Sequence, residues 1–206
     1  MDEKTNVAKS HKVLLANRKS GAFSGVVDVL SFDVAEILLE TELGMDFEGL
    51  MQSYVGLHVE DGLIVPHLKM QEQTGTCVFL NDAGRCSIHA YRPGICRLFP
   101  LGRIYEEQGV SYFLQSGACE RGKTKIKVEK WLDTPQLKQY QQFLTEWHSL
   151  KKNMQEYLSR MTKEEEKKTV CMMFLQIFFF RPYDSRRDFY EEWGERRKQL
   201  HSLLPE

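Results

Sequence analysis

The chain has 206 residues, enough for one generous domain with a sizeable core, or one domain with an appendage. Lysine and arginine number 28 against 29 aspartates and glutamates, a net charge of −1 that gives no electrostatic reason to expect nucleic acid or an anionic membrane as the main partner. At 42% hydrophobic and 28% charged, the composition is that of an ordinary globular protein.

The opening "MDEKTNVAKSHKVLL" lacks the apolar run of a secretory signal. The most apolar window, Val170 to Phe180, is about half of the roughly 20 residues that a bilayer span needs. A cytoplasmic location is therefore expected, where thiols stay reduced. Five cysteines, an odd count, also fit a disulfide framework poorly.

Residues 1–25 are polar and weakly patterned, broken at Ser20-Gly21 and Ser24-Gly25, and are expected to be partly disordered. Residues 26–133 read as a cysteine module. Asp33 predicts an N-cap for the helix "VAEILLETEL", which Gly44 ends; Asp46 predicts a second cap, for "FEGLMQSYVG". "LHVEDGLIVPHL" carries two apolar runs around Asp61-Gly62, a strong hairpin signal. "CVFLNDAGRCSI" repeats the pattern around Asn81 to Gly84, and "RIYEEQGVSYFLQ" turns near Gln108-Gly109. "RGKTKIKVEK" sets Lys123, Lys125 and Lys127 on one face of a strand, better read as a guarded edge than as an RNA stripe because no stacking aromatics accompany it.

Residues 134–206 read as a helical region packed on the module. Pro135 opens a helix to about Arg160, with Leu137, Tyr140, Phe143, Leu144, Trp147 and Leu150 on one face. Residues 163–180 predict a second helix, interrupted by Pro182, and "SRRDFYEEWGERRKQLHSLL" a third. The fold class expected is α+β: a small hairpin-rich cysteine module flanked by helices and closed by a C-terminal helical hairpin or bundle.

Three of the five cysteines fall within residues 77–96. With a two- or four-residue loop, Leu80 faces Arg85 and Phe79 faces Cys86, so Cys77 and Cys86 share a face about 7–8 Å apart. That is long for a disulfide, at about 4.4–6.8 Å, and suits two thiolates reaching one ion at about 2.3 Å each. A three-residue loop changes the facing. Pro93 favours a helical first turn that places Cys96 near a helix N-terminus, where a thiolate is favoured, and Arg92 and Arg97 add positive charge. Cys119 follows the third hairpin, in "SGACERGK"; Cys171, in an apolar helix, reads as core. His89 reads as a hydrogen-bonding residue beside Cys86 rather than a ligand, and the six histidines form no H-E-x-x-H or similar pair. The separations match no compact zinc ribbon, so spacing alone leaves a metal site level with buried or incidental thiols.

The ordered string Cys77-x-Phe79-Leu80, Gly84-Arg85-Cys86-Ser87-Ile88-His89 and Arg92-Pro93-x-x-Cys96-Arg97-Leu98-Phe99-Pro100 closely resembles the YkgJ-type cysteine-cluster family, described as a zinc- or iron-chelating domain. Related clusters occur in flagellin lysine methylases. The likeness runs from about Ser31, through "VEDGLIVPHLKM", "PLGRIYE", "YFLQ" and Cys119, to "EWH" near residue 148. Family members usually begin with C-x-x-C-x-x-C-C; here the corresponding positions hold Ala16, Lys19, Ala22 and Phe23, none able to bind a soft metal.

The resemblance implies a reduced site in which Cys77, Cys86, Cys96 and Cys119 hold one zinc or iron, with Arg92, Arg97 and His89 beside it. Two other classes stay open. One is an iron–sulfur-dependent enzyme or accessory factor that modifies a protein, although the chain has no Gly-rich phosphate loop, no G-x-S-x-G and no assignable catalytic residue. The other is a metal-free interaction protein that kept the fold. Asp61 and Asp82 read as turn residues. A metal ion is the expected partner, a protein partner is left open, and neither nucleic acid nor a membrane is expected.

Overall fold

The computed structural model describes residues 12–15, 43–106, 109–115 and 124–204. The first element is a strand, β1 (Lys12–Leu15), inside the segment that the sequence reading left without structure. Its partner lies at the far end of the module, which is why no local pattern reveals it. The helix expected from Asp33 lies outside the described residues except at its end, where Leu43 is helical and Gly44 takes φ +62°.

Helix α1 (Phe47–Ser53) starts at Asp46, whose side chain accepts the Gly49 N–H at 2.8 Å, and it buries Phe47 and Leu50. It leads into β2 (Val55–Glu60), paired antiparallel with β3 (Leu63–Leu68). The two-residue turn between them needs positive φ twice, and Asp61 (+48°) and Gly62 (+86°) supply it. Strand β3 is buried along most of its length, whereas Leu57 and Val59 of β2 are exposed.

A 3₁₀ turn (His89–Tyr91) precedes the short α2 (Gly94–Leu98). Strands β4 (Leu101–Glu106) and β5 (Gly109–Leu114) form the expected third hairpin. Strand β6 (Thr124–Lys127) pairs with β1, Lys127 opposite Lys12, in a two-stranded sheet. Helix α3 (Val128–Leu132) packs Val128 and Leu132 with Leu98 and Leu101 in a small second core.

Helix α4 (Leu137–Arg160) begins later than Pro135 predicts, because Gln136 sits in the left-handed region at φ +51° and keeps Pro135 in the connection. Its buried stripe runs through Tyr140, Phe143, Leu144 and Trp147, then through Lys151, Met154 and Leu158 rather than Leu150. Helix α5 (Glu164–Leu175) widens into a π-helical turn over Gln176–Phe180. The wider turn buries Ile177, Phe178 and Phe179 together and leaves Phe180 partly buried, edge-on to Phe47 at 5.2 Å between ring centres. Helix α6 (Phe189–Leu203), capped by Asp188 on the Glu191 N–H at 3.0 Å, completes an aromatic core. There Trp147 meets Phe178 at 5.6 Å and Phe143 meets Trp193 at 5.1 Å between ring centres.

The architecture is thus α+β: antiparallel hairpins flanked by helices, with three C-terminal helices. Among the described residues no helix is long and apolar enough to cross a membrane.

Candidate metal centre

The cysteine segment hangs from the end of β3. Lys69 fixes that end, its Nζ donating to the Met51 and Gln52 carbonyls at 2.7 and 2.8 Å, which caps α1 with a positive charge. Met70 then bridges Cys77, and Phe79 is buried with its ring stacked on Tyr54 at 4.7 Å.

The Asn81–Gly84 turn differs from the expected one. Asn81 Oδ1 accepts the amides of Ala83 and Arg85 at 3.1 and 3.0 Å, Asn81 N donates to Arg85 O at 2.9 Å, and Gly84 takes φ +67°. This side-chain closure makes a three-residue loop, so Leu80 bridges Cys86 instead of facing Arg85. A continuous ladder in that register would set Cys77 and Cys86 on opposite faces. The pairing is a single bridge, however, and the Leu80 N–H turns back to the Cys77 carbonyl at 3.0 Å, so strict alternation does not hold here.

The electrostatics tie the two thiols together. Burial pushes the Cys77 thiol up, opposed by the Phe79 amide. Burial also raises Cys86; the Ile88 amide opposes it, negative charge on Cys77 raises it further, and Arg92 lowers it. Each sulfur therefore meets the amide two residues ahead, one local arrangement used twice, and Cys86 also senses the charge of Cys77.

The flanking residues divide their work. Arg92 donates from Nη1 to His89 Nε2 at 2.7 Å. Arg97 donates to the carbonyls of Arg92, Ala90 and Asp133 at 3.2, 3.3 and 3.2 Å, so its guanidinium ties the loop before α2 to the end of α3. Cys96, in α2, is half-buried against the same core as Cys77 and Cys86. Cys171 is buried and donates to Gly62 O at 3.4 Å. Gly62 precedes β3 and Met70, which bridges Cys77, follows it, so Cys171 and Cys77 sit at opposite ends of that strand. Cys119 lies outside the described residues, as do Ala16, Lys19, Ala22 and Phe23. Among the described residues, no three His, Cys, Asp or Glu side chains lie together as ligands of one ion.

Two features escaped the sequence reading. His58 and His67 meet across the first hairpin, Nδ1 to Nδ1 at 3.2 Å. Linear spacing hides this pair, but the Asp61-Gly62 turn fixes a register from which it can be computed. The second is a cleft of about 280 Å³ lined by Glu60, Tyr105, Trp147, His148, Lys151 and Lys152. In its wall the buried Lys151 amine reaches both Glu60 oxygens at 3.1 Å, and His148 stacks on Tyr105 at 4.0 Å.

Two family models match this chain. Residues 7–45 match the YabP family, and residues 46–120 match a model described as "Putative zinc- or iron-chelating domain". The second match is shorter than the stretch from about 31 to 148 that the motifs suggest, and it spans the positions of Cys77, Cys86, Cys96 and Cys119. Searches of curated proteins and of solved structures return no match. The chain therefore carries, over residues 46–120, a segment similar to a zinc- or iron-chelating domain.

Proposed function

We propose that the chain is a cytoplasmic zinc- or iron-binding protein of the YkgJ type whose first cysteine group is missing, and that Cys77, Cys86, Cys96 and Cys119 hold one ion. The observation that carries this reading is the Cys77–Cys86 pair within the segment similar to chelating domains. Two half-buried thiols that repel as thiolates are a poor arrangement by themselves. Amides aimed at each sulfur and Arg92 offset part of that repulsion, and a divalent ion would reverse it. The start of the chelating match at residue 46, behind a segment that matches another family, supports the missing first group. In domain terms, residues 1–25 precede a module over 26–133, with the helical region 134–206 packed on it. Four thiolates on zinc make a closed structural site that would help to order this loop-rich segment.

A second reading has its own support. It is an interaction protein that kept the fold and lost the ion, and Ala16, Lys19, Ala22 and Phe23 at the positions of the first cysteine group support it. Anaerobic purification followed by metal analysis and an absorption spectrum separates the two. One zinc or iron per chain, lost in Cys96→Ser and kept in Cys171→Ser, is the expected result. Iron–sulfur absorption would favour a protein-modifying enzyme or accessory factor instead. A chain that takes up neither zinc nor iron, even on anaerobic reconstitution, ends the metal reading.

A further inference from the structure

We propose that His58 and His67 form a separate metal site, a two-imidazole pair that takes a divalent ion of borderline softness such as zinc. The β2–β3 register sets Gly56 opposite His67 and His58 opposite Val65, so the two histidines are diagonal neighbours on one face of the hairpin. Gly56 makes their approach feasible. A Cβ there would sit 2.8 Å from His67 Cε1 and 3.0 Å from Nε2, so the His67 ring lies across bare backbone. The two rings meet edge to face, with centres 5.0 Å apart and planes at 78°.

The decisive number is the 3.2 Å between the two Nδ1 atoms. Zinc holds imidazole nitrogen at about 2.0–2.1 Å, so one ion bound to both atoms at that separation subtends an angle of about 100°, close to tetrahedral. A plain hydrogen bond, one Nδ1–H donating to the other Nδ1, also fits the separation. The two cases differ in the proton: the ion replaces it, and both lone pairs turn to a common point. Because the hairpin already fixes both ligands, little ordering cost remains for binding. Imidazole ligands suit zinc, copper and nickel rather than calcium or magnesium. No third His, Cys, Asp or Glu joins the pair among the described residues, so the coordination sphere is left open to water or another small ligand. Structural zinc is closed by four protein ligands, so an ion held by this pair would exchange readily.

The test is a zinc titration of the full chain, followed by the ring-nitrogen NMR signals of each histidine, above the pH at which imidazoles protonate. His58 and His67 should shift together to one end point, while His148 and His201 stay in place. His58→Gln should weaken the zinc response of His67 by at least about tenfold, and His67→Gln that of His58 likewise. Cys86→Ser should leave the histidine response intact, which keeps this site distinct from the cysteines. The wild-type titration stands even if a variant folds poorly. Signals that ignore zinc, that move independently, or that stop responding in Cys86→Ser would overturn the proposal.

Discussion

Arg196 is fully buried, at 0% exposure, and every arm of its guanidinium is engaged. Nη1 donates to the carbonyls of Ile177 and Arg181 at 2.8 and 2.7 Å; Nη2 donates to Pro182 O at 2.7 Å and to Glu192 Oε1 at 2.6 Å. The guanidinium carbon lies 3.5 Å from the centre of the Tyr183 ring. These carbonyls are those that the π-helical turn and Pro182 deprive of ordinary helical partners, so one side chain closes the end of α5 onto α6. Arg196→Met keeps much of the volume and strands three carbonyls and the buried Glu192 carboxylate. Removing one partner of a buried pair costs about 3–5 kcal/mol. At roughly 2–4 °C per kcal/mol for a chain of this size, the melting temperature should fall on the order of 10 °C. Urea denaturation supplies the free energy, and two further variants supply the logic. Arg196→Met with Glu192→Leu should recover part of the loss, because the orphaned charge is gone. Arg197→Met, which breaks a half-exposed pair with Glu146, should cost under about 1 kcal/mol. An Arg196→Met protein within about 1 kcal/mol of wild type, or a double variant no better than the single, would refute the reasoning.

Two other outcomes follow from close contacts and charge. Gly102→Ala would drive a Cβ into the ring of Phe113, its partner across β4 and β5, and should cost about 1–3 kcal/mol in thermal melts; an unchanged melting temperature would show that the ring moves freely. Burial, then Lys151 and Lys152, hold the His148 pKa below its ordinary value, so its stabilising contribution is present above about pH 6.5 and is lost as pH falls through the folded value. His148→Gln should flatten the acid side of a melting-temperature series, and a slope equal to wild type would remove His148 as its cause.

Local signals carried most of the fold. Asp46 and Asp61-Gly62 do in the structure what caps and turns of their type do anywhere, because each acts within four residues of itself. The misses share a cause: each depends on a partner that sequence distance conceals. Strand β1 needs β6, and the buried stripe of α4 continues through Lys151 because Glu60 of β2 waits for its amine. The Asn81 turn is a miss of another kind. Its side-chain bonds to Ala83 and Arg85 close a three-residue loop held by one bridge, Leu80 to Cys86, where a two-stranded hairpin was expected. In the candidate site, the motif gathers Cys77, Cys86 and Cys96 into one short segment, and all three pack against the same core. The work of Arg97 was not legible, since three carbonyls claim a guanidinium that looked like a counter-charge.

The raised thiols give the cysteine site a pH dependence with opposite signs in its two states. For both Cys77 and Cys86 burial is the largest influence, and it favours the neutral thiol over the thiolate. Without an ion, the native state holds these protons more tightly than the unfolded chain does. The resulting stability is fully present below the ordinary thiol value, about 8.5, and is lost as pH rises through the higher folded values. Ion binding requires thiolates and expels the same protons, so affinity should climb over that range. Chelator-treated protein should therefore lose melting temperature as pH is raised from about 8 towards 10, while zinc-loaded protein holds or gains. Alkylation of the two thiols should have its midpoint above that of an ordinary cysteine. A midpoint at or below the ordinary value would mean that Arg92 and the amides outweigh burial. The pair would then be a preformed thiolate site that gives up few protons on binding.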